Sequence, residues 1–192
     1  PLIAWTINTA KKSRYLDKII VSSDCPEIIS TAIFYGCEAP YVRPAHLATD
    51  KASSMSVILH ALEEIKGYDF VVLLQPTSPL RNSQDIDTCI QLCSVKDVKA
   101  CISLTLAKEN PYWMFYQTET GGIEKIVKKT SSSLSNQETL PSYILNGAVY
   151  VACVSWLKKH KSFYSPRTVA HLMPDVRSID IDTEEDFSRF LD

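Results

Sequence analysis

The sequence predicts an α/β fold: a doubly wound, mostly parallel, Rossmann-like sheet with a β-hairpin arm. Three observations lead there. Short β-branched or apolar runs alternate with helical periods along the first hundred residues. The run Phe70 to Leu74 (FVVLL) is apolar on both faces, as a central parallel strand covered by helices should be. Proline, glycine and hydroxyl residues punctuate the ends of these segments.

In chain order, Leu2 to Ala10 reads as an amphipathic helix and Lys18 to Ser22 as a short buried strand ended by Ser23 and Asp24. Pro26 suits the first turn of a helix that Gly36 stops after Tyr35. Ala52 to Ile65 is the next helix, opened by Thr49, Asp50 and Ser53 and ended near Gly67. After the Phe70–Leu74 strand, Gln84 to Val95 forms a helix capped by Ser83, and Ala100 to Leu106 forms another strand. The pattern changes after Pro111. Tyr112 to Tyr116 and Ile123 to Val127 flank Thr118 to Gly122 as a hairpin, and the Ser-rich stretch Thr130 to Glu138 is a loop. Tyr143 to Val154 and Ser178 to Ile181 are the last strands, followed by a short helix. Residues 1–192 thus read as one domain, with residues 107–145 inserted as an arm whose aromatics suit dimerisation.

Composition narrows the function. Apolar residues make up 45% and charged residues 22%, which excludes a disordered chain, a collagen and a coiled coil. No apolar run approaches the ~20 residues of a membrane span. A net charge of −2 leaves no electrostatic footprint for nucleic acid or an anionic membrane, so an anionic ligand must be held by local features. Six cysteines without a C-x-x-C read as core residues of a reduced, cytoplasmic protein. Glycine is scarce, five against roughly thirteen at ~7% usage, and no G-x-G-x-x-G or Walker loop occurs.

Three constellations carry candidate chemistry. In an extended Ser178-Ile179-Asp180-Ile181-Asp182-Thr183, residues i and i+2 share a face, so Asp180 and Asp182 present two carboxylates together. Two hard oxygen donors suit Mg²⁺ bridging substrate phosphates. The competing reading makes Asp182 a helix cap with Glu185 completing a capping box, which leaves Asp180 unexplained. The second constellation is Gln75 to Arg81 (QPTSPLR), a proline-stiffened polar loop after the clearest strand, where such folds bind ligands. Its alternative is a tight turn in which Thr77 and Ser78 satisfy backbone groups. The third is Arg43 beside Pro44, followed by the hydroxyl-rich Thr49 to Ser54 at a helix start, competent for phosphate and nucleoside or for simple capping. The four histidines show neither ligand spacing nor a triad order.

Together the segments Pro1 to Ile7, Val21 to Asp24, Arg43 to Asp50, Leu73 to Arg81, Asn146 to Tyr150 and Ser178 to Thr183 resemble the acylneuraminate cytidylyltransferase family, the CMP-sialic acid synthetases and their bacterial relatives. They occur in the family's order and cover nearly the whole chain. The resemblance implies a nucleotidyltransferase type of fold and a homodimer with the arm crossing its interface. It implies transfer of CMP from CTP to the anomeric 2-hydroxyl of a nine-carbon 2-keto sugar acid, with pyrophosphate leaving. By the same resemblance Asp180 and Asp182 are catalytic and hold Mg²⁺. Arg43, Ala52 and Ser54 contact the cytidine part, Gln75 meets the sugar, and Tyr150, Phe163 and Tyr164 shape its pocket.

Two departures from the family stand out. Its members carry a strand and a Gly-rich basic loop, cradling the triphosphate, ahead of the segment that matches Pro1. The expectation is a natural chain longer by roughly twenty residues, since a doubly wound sheet without that strand has a gap lined by apolar residues. Many relatives also carry arginines where Gln137 and Ile144 stand, so anionic groups are expected to be gripped differently here. Two alternatives accompany this reading. One is the same chemistry on legionaminic, pseudaminic or 3-deoxy-octulosonic acid. The other is an inactive nucleotide-binding or oligomerisation module, should the loop be truly absent.

Overall fold

Side-chain alternation along one long strand organises the molecule. The computed structural model describes residues 1–95, 97–127 and 141–191. In it β5 (Tyr143–Cys153) lies between β1 (Phe70–Leu73) and β2 (Ala100–Leu106), antiparallel to both, while β6 (Thr168–Leu172) pairs with β2 in parallel. Three strands therefore share one direction and β5 alone opposes them. Val149 and Val151 point to one face and pack with Cys101 and Met173 on Ile86, Cys89 and Ile90 of α4 (Ser83–Cys93). Ala152, Ala100 and Ile102 point to the other face, against Ile58 and Leu62 of α3 (Ser54–Glu64), Leu157 of α5 (Val154–His160) and Phe163. Helices on both faces are the doubly wound arrangement read from the sequence. Among the described residues no helix is long and apolar enough to cross a membrane.

The helices begin and end where local chemistry dictates. α1 (Leu2–Ala10) and α2 (Pro26–Phe34) close over Val21 and Cys37 through Ile7 and Ala32. Gly36 follows α2 at φ +88°, a left-handed position that favours glycine. Ser53, accepting from Ser56 N–H at 3.1 Å, caps α3, which starts two residues after Ala52. At α4 the cap is Asn82 and not Ser83. The Asn82 side chain accepts from Asp85 N–H at 2.9 Å and Asp85 Oδ2 accepts from Asn82 N–H at 3.0 Å, a reciprocal box that Ser83 cannot form. All six cysteines are free thiols, and burial together with Cys101 pushes the Cys93 thiol up to about 12.

Four expectations are corrected. Lys18 to Ser22 makes no strand: it contributes one parallel bridge, Ile20 to Glu38, because only one of its edges finds a partner. Among the described residues Phe70 to Leu73 is not flanked on both sides but pairs with β5 alone, antiparallel. Ser178 to Ile181 is not a strand, since β6 already occupies the free edge of β2; Ile181 N–H donates instead to Thr77 O at 2.8 Å. The hairpin is shorter than its aromatic pattern suggested, β3 (Phe115–Gln117) against β4 (Ile123–Lys125). Thr130 to Glu138 and Gln137 lie outside the described residues.

Between the 19–22 segment and β1 lies a cavity of about 460 Å³, walled by Ile3 and Ile7 of α1, Ile58 and Leu62 of α3, and Val72 of β1. Val21 N–H donates to Glu38 O and Glu38 N–H donates to Ile19 O, so the Ile20 N–H and C=O face away from Glu38.

Asp85 makes stability depend on acid. Burial alone would push its carboxyl up, but hydrogen bonds from His171, Arg177 and Asn82 N–H, with the Arg177 charge, bring it down to about 2. A depressed carboxyl contributes stability above its unfolded pKa and loses it as pH falls through the folded value. The native protein should therefore lose about 2 kcal/mol more than Asp85→Asn between pH 5 and pH 2. Urea midpoints across that range test this, and parallel curves would contradict it.

Candidate active site

The site grows from an irregularity in the central pairing. Ile102 opposes Tyr150 and Leu104 opposes Leu145, so four residues of β5, 146 to 149, face the single Ser103 of β2. Ser103 bridges the break with its side chain: Oγ donates to Asn146 Oδ1 at 2.7 Å and accepts from Val149 N–H at 2.8 Å. Gly147 turns the corner at φ +70°. A Cβ at Gly147 would stand 2.5 Å from Gln75 Oε1, 3.1 Å from Asp180 Oδ2 and 3.1 Å from Ser78 Oγ. The bare glycine is thus the floor on which three polar side chains from two distant segments meet.

The Gln75–Arg81 loop leaves the carboxyl end of β1 and is held from both ends. Ser78 is fully buried and donates through Oγ to Asn146 O at 3.2 Å, and Thr77 O accepts from Ile181 N–H. Arg81, 2% exposed, donates from Nη2 to Thr6 Oγ1 at 3.2 Å and to Gln75 O. Burial pulls its pKa down to about 10 while Asp180 and Asp85 pull it back, so it stays charged at neutral pH. Among the described residues its Nε and Nη1 are buried without a protein partner, and so is Asp180 Oδ1.

Asp180 also borders an open cavity of about 410 Å³ lined by Lys108, Asp175, Ser178 and Asp186. A hard cation that keeps waters and phosphates in its shell needs only one or two carboxylates with unclaimed oxygens. Asp180 offers such an oxygen. Asp182 stands exposed two residues on. Capping does not account for it, because the box at α6 (Glu184–Leu191) is made by Thr183 and Asp186: Thr183 Oγ1 accepts from Asp186 N–H at 3.2 Å and Asp186 Oδ2 from Thr183 N–H at 3.0 Å. The chemistry of this donor set fits Mg²⁺. Among the described residues no three His, Cys, Asp or Glu side chains cluster as a ready-made cage.

The remaining expected residues divide into two groups. Tyr150 packs on Phe163 with ring centroids 5.4 Å apart, and burial, then the neighbouring Tyr164 and Asp180, push its phenol above the ordinary range. Phe163 is largely committed to the core and Tyr164 is exposed. Arg43 is on the other flank. Its guanidinium donates to Ser22 Oγ at 3.3 Å and to Ser22 O, and it borders the large cavity. Ala52 and Ser54 stand at the start of α3, whose Val57 and Ile58 line the same cavity. Ile144 is half exposed on β5. Sequence reasoning did not single out Asn146, Gly147 or Asp85 as site residues; a break in strand register leaves no mark in hydrophobic alternation.

The comparisons agree with this architecture. A synthetase of CMP and 2-keto-3-deoxy-manno-octonic acid, solved with CTP, superposes with a TM-score of 0.69 at 13% identity, over 99% of this chain and 86% of that one. The 4-diphosphocytidyl-2C-methyl-D-erythritol synthase of Anaerococcus prevotii follows at 0.67 and 13%, over 98% and 83%. These likenesses show that the chain shares the mixed α/β fold of those structures. A family model described as cytidylyltransferase matches residues 1–138, and the chain belongs to that family. Among curated relatives, the CMP-N,N'-diacetyllegionaminic acid synthase of Legionella pneumophila is 33% identical over 98% of this chain and 82% of its own length. The pseudaminic acid cytidylyltransferase of Campylobacter jejuni is 31% identical, over 97% and 82%. The N-acylneuraminate cytidylyltransferase of Escherichia coli is 32% identical over 97% of this chain but only 44% of its own length.

Gly147→Ala tests the convergence. A side chain at positive φ and 2.5 Å from Gln75 Oε1 should cost about 1–3 kcal/mol, read as a lower urea midpoint. An unchanged midpoint would mean that Gln75 is not seated against the glycine.

Proposed function

We propose that the chain transfers CMP from CTP to the anomeric 2-hydroxyl of a nonulosonic, sialic-type acid and releases pyrophosphate. The observation that carries this is the meeting of Gln75, Ser78 and Asp180 over Gly147, with one Asp180 oxygen buried and unclaimed. Membership of the cytidylyltransferase family and the names of its curated relatives support the nucleotide and the class of acceptor.

In this reading the sugar hydroxyl oxygen attacks the α-phosphorus in line as the bond to the β-phosphate oxygen breaks. Gln75, on the loop stiffened by Pro76 and Pro79, orients the sugar acid. Tyr150, Phe163 and Tyr164 wall its pocket and exclude water on that side. Arg43, Ala52 and Ser54 take the cytidine end, beside the start of α3. Asp180 and Asp182 would hold Mg²⁺, which supplies neutralisation of the charge moving onto pyrophosphate. The arm at residues 107–145 brings two copies together. Supporting this are Trp113, Phe115, Ile123 and Ile126, which are 46–69% exposed on and beside the hairpin. Six free thiols suit a reducing cytoplasm.

The test is pyrophosphate release by the native protein from CTP and Mg²⁺, with N-acetylneuraminic, legionaminic, pseudaminic and 3-deoxy-octulosonic acids offered in parallel. Release with one acid, and none with ATP, GTP or UTP, is expected; silence with all four contradicts the reading. Asp180→Asn should lower kcat at least ~100-fold with an unchanged urea midpoint. Wild-type turnover in that variant would remove Asp180 from the mechanism.

A further inference from the structure

We propose that Asp85 and Arg177 form a positioning pair for Asp180, fixing its carboxylate where a divalent cation and the phosphates it accompanies would bind. The inference rests on the cytidylyl-transfer reading above. Asp85 is 1% exposed and engages far more than helix capping needs. Its Oδ1 accepts from Arg177 Nη2 at 2.9 Å and faces His171 Nε2 at 3.1 Å, while Oδ2 accepts from Arg177 Nε at 3.2 Å and from Asn82 N–H at 3.0 Å. A forked guanidinium on one carboxylate fixes orientation as well as distance.

The location gives the pair its consequence. Asp85 opens α4, which directly follows the Gln75–Arg81 loop. Arg177 closes the short 3-10 turn Asp175–Arg177, which directly precedes the segment carrying Asp180. One buried carboxylate therefore locks together the two chain segments that supply Gln75, Ser78 and Asp180. Two further ties complete the suspension: Asn146 Nδ2 donates to Ser178 Oγ at 3.0 Å, and Ile181 N–H donates to Thr77 O at 2.8 Å. Asp180 hangs between them with Oδ1 claimed by no protein group. The segment lacks strand pairing, so these contacts take over the alignment that a sheet ladder would provide.

Arg177→Gln and Arg177→Lys separate positioning from mere stabilisation. The lysine variant keeps the charge on a side chain that is 34% exposed and loses only the fork, so it serves if the glutamine variant does not fold. Three quantities are read below the melting temperature of each variant: Mn²⁺ affinity by electron paramagnetic resonance, and kcat and KM for CTP. The expected result is at least ~10-fold weaker Mn²⁺ binding and a similar fall in kcat for the glutamine variant, with a smaller loss for lysine. KM for CTP should move less than about threefold. A lower melting temperature with wild-type Mn²⁺ affinity and kcat would overturn the proposal, as would a wild-type protein that binds no Mn²⁺. Wild-type protein that binds Mn²⁺ but releases no pyrophosphate defeats the reaction reading instead, and the Mn²⁺ arm still decides the positioning claim.

Discussion

The register break in β5 is the constraint on which the site depends. A regular ladder through Asn146 to Val149 would put an ordinary side chain where Gly147 stands, and the Gln75 loop and Asp180 would be held apart by it. Breaking the ladder leaves backbone groups unpaired in the centre of a sheet, where an unsatisfied group costs about 1–3 kcal/mol. Ser103 offsets that loss by serving Asn146 Oδ1 and Val149 N–H with a single hydroxyl. Ser78 Oγ on Asn146 O and Asn146 Oδ1 under Ala148 N–H complete the bulge, and the floor of the site is a property of the β2–β5 pairing.

Around that floor, buried polar groups are spent on joining distant segments. Asn146 ties to Ser78, Ser103 and Ser178, and Asp85 ties α4 to β6 and to the turn before Asp180. Such networks rigidify when fully satisfied and are costly when they are not. Among the described residues Asp180 Oδ1 and Arg81 Nε and Nη1, on groups that attract one another, are buried without partners, as are Tyr41 Oη, His60 Nδ1 and Thr105 Oγ1. The open valences of Asp180 and Arg81 adjoin the Gly147 floor, where a ligand or ion can complete them.

Much of this was legible in the sequence, for identifiable reasons. Helix ends marked by Pro26, Gly36 and Ser53 appear where expected, and the both-faces-apolar run at Phe70 forms a strand, although one paired on a single side and antiparallel. The Gln75–Arg81 loop was found because a proline-stiffened polar stretch after such a strand has few other uses. Competition between segments for the same edge was not legible. Ser178–Ile181 has strand composition, yet Thr168–Leu172 takes the place beside β2. Lys18–Ser22 likewise has the pattern of a buried strand but only Glu38 to bridge. Asp85 escaped notice because a carboxylate three residues after Asn82 looks like capping alone, and its second role depends on residues about ninety positions away. Asp180 and Asp182 were visible as a pair, although as an irregular segment held by neighbours and not as a strand edge.

The most direct measurement is a crystal structure of the protein with CTP and Mn²⁺, with anomalous data collected at the manganese edge. A manganese peak is expected within coordination distance of Asp180 Oδ1, with the triphosphate reaching it above Gly147 and the Gln75 side chain in place. A peak coordinated elsewhere, or a nucleotide bound away from Gly147, would contradict the central claim that these three segments meet to make the reaction centre.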